Sequence, residues 1–187
     1  IQRSRGLGDV YKRQIDDPRW RIEHSQVVDI NEFELYNEKI LPSIQPTHAT
    51  SDMYWAYDRL GSRIKGAYAF KDLLNSSGRV ALGTDFPVEK VNPFHTFYSS
   101  VERKDLSGYP ENGFQMENSL TREETLKGMT IWGAYFNFEE HEKGSLEVGK
   151  SADFIVLNQN IMEVEADLIP MTEVIRTYID GELVYSK

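Results

Sequence analysis

The stretch RVALGTDFPVEKVNPF, residues 79–94, decides the fold of this chain. Residues 79–82 form a mostly apolar run that is typical of a buried strand, and the run ends at Gly83-Thr84 and then at Asp85. In parallel α/β folds, functional groups collect at the carboxyl ends of the strands. The stretch therefore predicts a buried strand that presents Asp85 at a functional edge.

Two more strands are predicted upstream, and a histidine follows each of them. Trp20–Glu23 runs directly into His24, and Leu41–Gln45 ends at Pro46, two residues before His48. Helical patterns separate the three strands, which predicts parallel βα units in either a barrel or an open doubly wound sheet. We expect both histidines and the aspartate of the third strand to lie at or just past strand ends.

Helix boundaries are predicted from capping residues and apolar spacing. The predicted boundaries are Asp29 to about Lys39, a short aromatic helix capped by Ser51, Ala67 to Ser76 with Gly78 as the stop, Asn92-Pro93 to about Arg103, and a capping box at 121–124.

The pattern changes after about Gly144. GSLEVGKSADFIVLNQN, residues 144–160, is rich in turn residues and favours strands, and Asp180-Gly181 lies between two alternating apolar runs, which predicts a hairpin. We expect a second, β-rich module that carries no chemistry.

The first fourteen residues differ from the rest of the chain. They have no helical or strand periodicity, and residues 4–14, SRGLGDVYKRQ, match the translation of a transposon adapter used in sequencing libraries. We expect residues 1–14 to be an assembly artefact in a metagenomic gene, and Ile15 to begin in mid-protein.

Composition limits the classes of partner. The chain has no cysteine, which excludes disulfides and thiolate chemistry and leaves the compartment open, with the cytoplasm as the default. Acidic residues outnumber basic ones by 30 to 21, which argues against a nucleic acid held by charge, and no apolar run approaches the roughly 20 residues that a membrane span needs. The oligomeric state is not indicated.

Four segments together carry a family resemblance: RIEHSQ (21–26), IQPTHATSDMYWAYDRLG (44–61), ALGTDFPVE (81–89) and KGSLEVGKSADFIVL (143–157). They resemble the metal-dependent amidohydrolase superfamily, in particular its amidohydrolase 3 (YtcJ-like) branch. The resemblance implies an α/β fold: residues 15–142 would be the C-terminal part of a (β/α)8 TIM-like barrel, and residues 143–187 the C-terminal part of a small β-sandwich. The three strands above would be the sixth, seventh and eighth of the barrel.

The resemblance also implies site residues. His24 corresponds to a metal ligand at the end of the sixth strand, and Asp85 corresponds to the aspartate that ends the eighth and serves as both metal ligand and catalytic group. A divalent metal is expected, with zinc as the ion, because imidazole and carboxylate suit it. His48 is expected to bind substrate or to stabilise the tetrahedral intermediate, and loop packing is the alternative for it.

The implied function is hydrolysis of a small amide-type substrate at a non-peptide carbon–nitrogen bond by a metal-activated water. The family's first-strand His-x-His pair, fourth-strand bridging group and fifth-strand histidine have no counterpart here, so we expect this fragment alone to bind metal poorly and to be inactive. Two alternatives stay open: a metal-independent barrel hydrolase that uses paired carboxylates, and a non-catalytic binding protein on the same scaffold.

Overall fold

Three short parallel strands form the first sheet: β1 (Trp20–Glu23), β2 (Ile40–Ile44) and β3 (Ala81–Leu82). They are seen in a computed structural model that describes residues 17–187. The predicted adapter-derived segment, residues 1–14, lies outside the described residues.

The register of this sheet places the three strand ends side by side. Glu23 at the end of β1 pairs with Ser43, and Ile44 at the end of β2 pairs with Leu82 at the end of β3. Each strand is followed by a loop or a helix at this same edge. The carboxyl edge of the sheet is therefore where the chain collects the residues that follow its strands.

Five α-helices and four short 3₁₀ segments accompany the strands in residues 17–187. The helices are α1 (Pro46–Leu60), α2 (Phe70–Ser77), α3 (Pro93–Glu102), α4 (Arg122–Met129) and α5 (Ile131–Phe136). The 3₁₀ segments are Phe33–Leu35, Gly61–Gly66, Met116–Asn118 and Ala166–Met171.

Three predicted helix boundaries are confirmed. The Asn92 side chain accepts a hydrogen bond from the backbone N–H of Phe94 at the start of α3. Thr121 and Glu124 form the reciprocal capping box of α4. Gly78 follows α2 with φ +74°, the left-handed conformation in which glycine ends a helix without a steric cost.

The helix predicted from Asp29 to Lys39 is wrong, because this segment forms only the 3₁₀ turn Phe33–Leu35. The Asp29 carboxylate accepts hydrogen bonds from the backbone N–H and the side-chain amide of Asn31, at 2.9 and 3.0 Å. Such a local side-chain bond offers the backbone an alternative to the helical ladder. Asp29 therefore begins a turn here, although its residue type is also typical of helix caps.

The predicted start of α1 at Ser51 is also wrong. The helix begins at Pro46, whose fixed φ suits the first helical position, and Ser51 lies inside it. The third strand is shorter than predicted, Ala81–Leu82 in place of residues 79–82. The earlier start of α1 places His48 in its first turn, directly above the carboxyl edge of the sheet.

The core that supports this edge lies between the first sheet and the helices. Ile44 from β2, Leu73 from α2 and Val80 before β3 are fully buried and belong to one apolar cluster. A well-packed core of this kind fixes the strand ends, since packed interiors yield little to displacement.

The second sheet is antiparallel and consists of β4 (Phe154–Leu157), β5 (Val174–Ile179) and β6 (Glu182–Ser186). The predicted hairpin is confirmed: Asp180 and Gly181 connect β5 to β6 with φ of +54° and +81°, the positive values that a two-residue type I′ turn requires. No helix in residues 17–187 is long and apolar enough to cross a membrane.

Candidate metal centre

Three side chains with metal-ligating atoms meet at the carboxyl edge of the first sheet. His24 follows β1, His48 lies in the first turn of α1 after β2, and Asp85 follows β3. One ligand-type atom from each lies within 4.8 Å of the other two. Parallel strands thus bring together residues that are up to 61 positions apart in the sequence.

His24 lies in a strained turn at the end of β1. His24 has φ +69° and Ser25 has φ +40°, values that residues with a Cβ rarely adopt. The Ser25 hydroxyl donates to the carbonyl of Ile22 at 3.1 Å and accepts from the hydroxyl of Tyr36 at 3.1 Å. These bonds hold the turn in a conformation in which the alternating side-chain directions of β1 end. The His24 side chain is exposed at the rim.

A second set of hydrogen bonds ties the same turn to α1. The Asp52 carboxylate accepts from the side-chain amide of Gln26 and from the hydroxyl of Tyr68, both at 2.8 Å. Burial raises the pKa of Tyr68; the bond from Gln26 opposes the rise and the bond to Asp52 adds to it, so the hydroxyl keeps its proton and remains a donor. Asp52 lies one turn after His48 on α1, so the helix contacts the turn of His24 on this side.

Asp52→Ala is expected to destabilise the chain by about 2 kcal/mol, because the substitution leaves two partly buried donors, on Gln26 and Tyr68, without their acceptor. Urea unfolding of the 187-residue chain measures the effect, with Asp58→Ala on the exposed face of α1 as the control. Equal free energies of unfolding for the two variants would show that the Asp52 network contributes nothing.

Asp85 lies in a tight turn directly after β3. Its φ is +58°, its carbonyl accepts from the backbone N–H of Val88 at 2.8 Å, and the Thr84 hydroxyl accepts from the N–H of Phe86 at 3.2 Å. The N–H of Gly83 donates to the carbonyl of Ile44 at 3.0 Å, which extends the sheet pairing up to the turn. The strand therefore carries Asp85 to the rim as a half-buried carboxylate, its side chain 30% exposed.

His48 is the buried member of the group. Its Nε2 lies 3.0 Å from Oδ2 of Asp85, and its ring centroid lies 5.8 Å from that of His24, with an angle of 40° between the planes. Its Nδ1 lies 3.5 Å from Oε1 of Glu89. His48 thus lies between two carboxylates and next to the second histidine.

The donor set suits a divalent ion of the zinc type. The imidazole of His24 and the carboxylate of Asp85 are ligands that zinc takes, and donor atoms around one tetrahedral ion at bond lengths of about 2.1 Å lie roughly 3.4 Å apart. The ligand-type atoms of His24 and Asp85 lie within 4.8 Å of each other, so a small side-chain adjustment brings them to that spacing. The residues present therefore fit such an ion.

The structure brings the three sequence-predicted site residues, His24, His48 and Asp85, into one group. Sequence reasoning did not find the contact of His48 with Asp85, nor the part played by Glu89. The available signal was the spacing: Glu89 lies four residues after Asp85 within ALGTDFPVE, so that a single turn brings both carboxylates to His48. The roles of these residues in metal and substrate binding stay predictions.

Comparison with known proteins gives consistent matches. A model described as "Amidohydrolase family" matches residues 7–185. Protein LONG AFTER FAR-RED 3 of Arabidopsis thaliana is 32% identical over 90% of this chain and 29% of its own length, and the putative amidohydrolase YtcJ of Bacillus subtilis (strain 168) is 33% identical over 89% of this chain and 32% of its own. N-substituted formamide deformylase of Arthrobacter pascens is 28% identical over 64% of this chain and 22% of its own.

A solved structure shows the same relationship. An uncharacterised metal-dependent hydrolase from Pyrococcus horikoshii OT3 superposes with a TM-score of 0.67 and 28% identity over 78% of this chain and 30% of that one. The chain spans about a third or less of the length of the curated relatives that it matches. Because the family model covers nearly the whole chain, this mixed α/β chain belongs to the amidohydrolase family, in the YtcJ-like branch of the metal-dependent amidohydrolase superfamily.

Proposed function

We propose that this chain is the C-terminal part of a metal-dependent hydrolase that cleaves non-peptide, amide-type carbon–nitrogen bonds in small molecules. The observation that carries the proposal is the meeting of His24, His48 and Asp85 at the carboxyl ends of parallel strands. Family membership supports it, as do relatives named as an amidohydrolase and as an N-substituted formamide deformylase.

The proposal assigns two parts to the chain. Residues 15–142 form the C-terminal portion of a (β/α)8 barrel, with β1, β2 and β3 as its sixth, seventh and eighth strands. Residues 143–187 form part of a β-sandwich. The parallel sheet with its helices and the separate antiparallel sheet support this division, since barrel strands are parallel and sandwich strands antiparallel.

His24 and Asp85 would hold the divalent ion, with zinc as the expected metal. The ion, when bound, supplies a water whose pKa is lowered towards neutrality and a positive charge next to the substrate carbonyl. Asp85 takes the proton from the attacking water and delivers it to the departing amine, so that one carboxylate serves both halves of the hydrolysis. Its fixed turn holds the carboxylate in place, which matters because a displacement of about 1 Å can cost about 10²-fold in rate.

His48 binds the substrate beside Asp85. Its buried ring, with Nε2 directed at the Asp85 carboxylate, lies where an N–H donor would face a substrate oxygen after a small movement. A donor held in this way stabilises the charge that develops on the oxygen in the tetrahedral intermediate.

The chain alone holds too few ligands for a complete site. Catalytic zinc sites use three protein ligands and keep a fourth position open, and His24 with Asp85 supplies two. We therefore infer that the 187-residue chain binds zinc poorly and does not turn over, whereas a version extended upstream to the length of its relatives (hereafter the extended protein) does both.

The test measures zinc content and hydrolysis of N-substituted formamides and N-acyl amines for the 187-residue chain and for the extended protein. We expect close to stoichiometric zinc and turnover only in the extended protein, and loss of turnover after chelation with recovery on adding zinc. Chelator-resistant hydrolysis would contradict the metal-dependent mechanism. Stoichiometric zinc and turnover in the 187-residue chain would contradict the inference that it is incomplete.

A further inference from the structure

The side of His48 opposite Asp85 is occupied by a second carboxylate, that of Glu89. Oε1 of Glu89 lies 3.5 Å from Nδ1 of His48, while Oδ2 of Asp85 lies 3.0 Å from Nε2. Both ring nitrogens thus face an acidic oxygen. Glu89 has no role in the function proposed above.

Glu89 is itself fixed in place by two contacts. The hydroxyl of Ser51 donates to Oε1 of Glu89 at 2.6 Å, and the backbone N–H of Glu89 donates to the carbonyl of Asp85 at 3.3 Å. Ser51 and His48 lie three residues apart on α1 and therefore share a face of the helix. With its side chain 21% exposed, Glu89 is held between the Asp85 turn and α1.

Two carboxylates on opposite sides define the orientation of the imidazole. A half-turn of the ring about its bond to Cβ would exchange nitrogens for carbons, and both favourable contacts would be lost. With Glu89 absent, only the contact with Asp85 would oppose that rotation. The geometry therefore gives Glu89 a role in fixing the orientation of the His48 ring, which Asp85 cannot fix alone.

We propose that Glu89 is a positioning residue: its carboxylate lies against Nδ1 of His48 and so keeps Nε2 directed at Asp85 and the substrate. The arrangement is that of a histidine whose second ring nitrogen faces a carboxylate, which fixes the orientation of the ring. The orientation stands on the geometry alone, and its effect on turnover rests on the proposed function.

The orientation is tested first, by NMR of the metal-free 187-residue chain labelled with ¹⁵N-histidine. His48→Gln assigns the His48 signals. In the parent chain we expect a protected ring N–H on His48; Glu89→Leu should speed its exchange at least tenfold and shift both ring ¹⁵N signals. Glu89→Gln, which keeps a carbonyl acceptor, should restore much of the protection.

Two further variants keep the test decisive. Glu123→Leu removes an exposed glutamate from α4, 71% exposed at its side chain, and should leave the His48 signals unchanged. Ser51→Ala leaves Glu89 in place but removes the hydroxyl that donates to it, and it should give an exchange rate of the His48 ring N–H between those of the parent and of Glu89→Leu. This variant tests the role of Glu89 if Glu89→Leu does not fold. Unchanged His48 signals in folded Glu89→Leu, or in Ser51→Ala when Glu89→Leu is unfolded, would overturn the proposal.

Turnover of the extended protein gives the functional consequence. We expect Glu89→Leu to lower kcat about 10- to 100-fold, the usual effect of removing a carboxylate that holds a histidine of the site, with zinc affinity unchanged and with Glu123→Leu unchanged in both measurements. An extended protein that neither binds zinc nor turns over in any form would refute the proposed function, while the NMR result would still decide the role of Glu89. Unchanged turnover with altered His48 signals would restrict Glu89 to orienting the ring.

Discussion

Asp85→Asn in the extended protein is expected to lower kcat by about 10²- to 10⁴-fold, the range that general acid–base catalysis contributes. The asparagine side chain keeps the size of the carboxylate and its oxygen, but it cannot take a proton from water or deliver one to an amine. The His48 contact at 3.0 Å also changes, because the substitution removes the charge that faces Nε2. Steady-state hydrolysis together with zinc content measures the effect.

The zinc content separates the two roles proposed for Asp85. A variant that retains zinc but has lost turnover identifies the carboxylate as the proton carrier, and a variant that has lost both identifies it mainly as a ligand. Asp58→Asn, on the exposed face of α1, is the matched control and should keep full activity. Activity of Asp85→Asn within tenfold of the parent would remove Asp85 from the catalytic machinery.

His24→Ala in the extended protein is expected to weaken zinc binding by more than about 100-fold, since removing a ligand costs more than removing the group behind it. Competition with a chromophoric chelator measures the zinc dissociation constant.

His141→Ala is the control for that experiment, because the His141 side chain is 91% exposed and no metal-binding group includes it among residues 17–187. Its zinc affinity should equal that of the parent. An unchanged zinc dissociation constant in His24→Ala would show that the ion does not lie at the end of β1. The same assay on His48→Gln tests the substrate-binding role, which predicts retained zinc and reduced turnover.

The strand ends were predictable from sequence because the signals there are local and strong. Trp20–Glu23 is a short strand in both the pattern and the structure, and Asn92 and Thr121 cap helices as their types and spacing predict. Because parallel strands share one carboxyl edge, the residues that directly follow neighbouring strands lie at the same site. This is how His24 and Asp85 were both predicted at the rim.

Other features depend on tertiary contacts that no local pattern contains. The contacts of His48 with Asp85 and Glu89 require the turn after Asp85 to fold back so that Glu89 reaches α1. The anchoring of the His24 turn requires the Asp52 carboxylate to accept hydrogen bonds from Gln26 and Tyr68. Asp29 shows the opposite case, in which a helix-capping residue type forms a local turn with Asn31. In each case the partner of the side chain determines the local structure, and the sequence alone does not identify that partner.

The central claim is that His24 and Asp85 bind the same divalent ion. A crystal structure of the extended protein grown with zinc, with anomalous data collected at the zinc edge, tests it most directly. The account predicts an anomalous peak about 2.0–2.2 Å from a ring nitrogen of His24 and from a carboxylate oxygen of Asp85. Zinc bound elsewhere, with neither residue as a ligand, would contradict it.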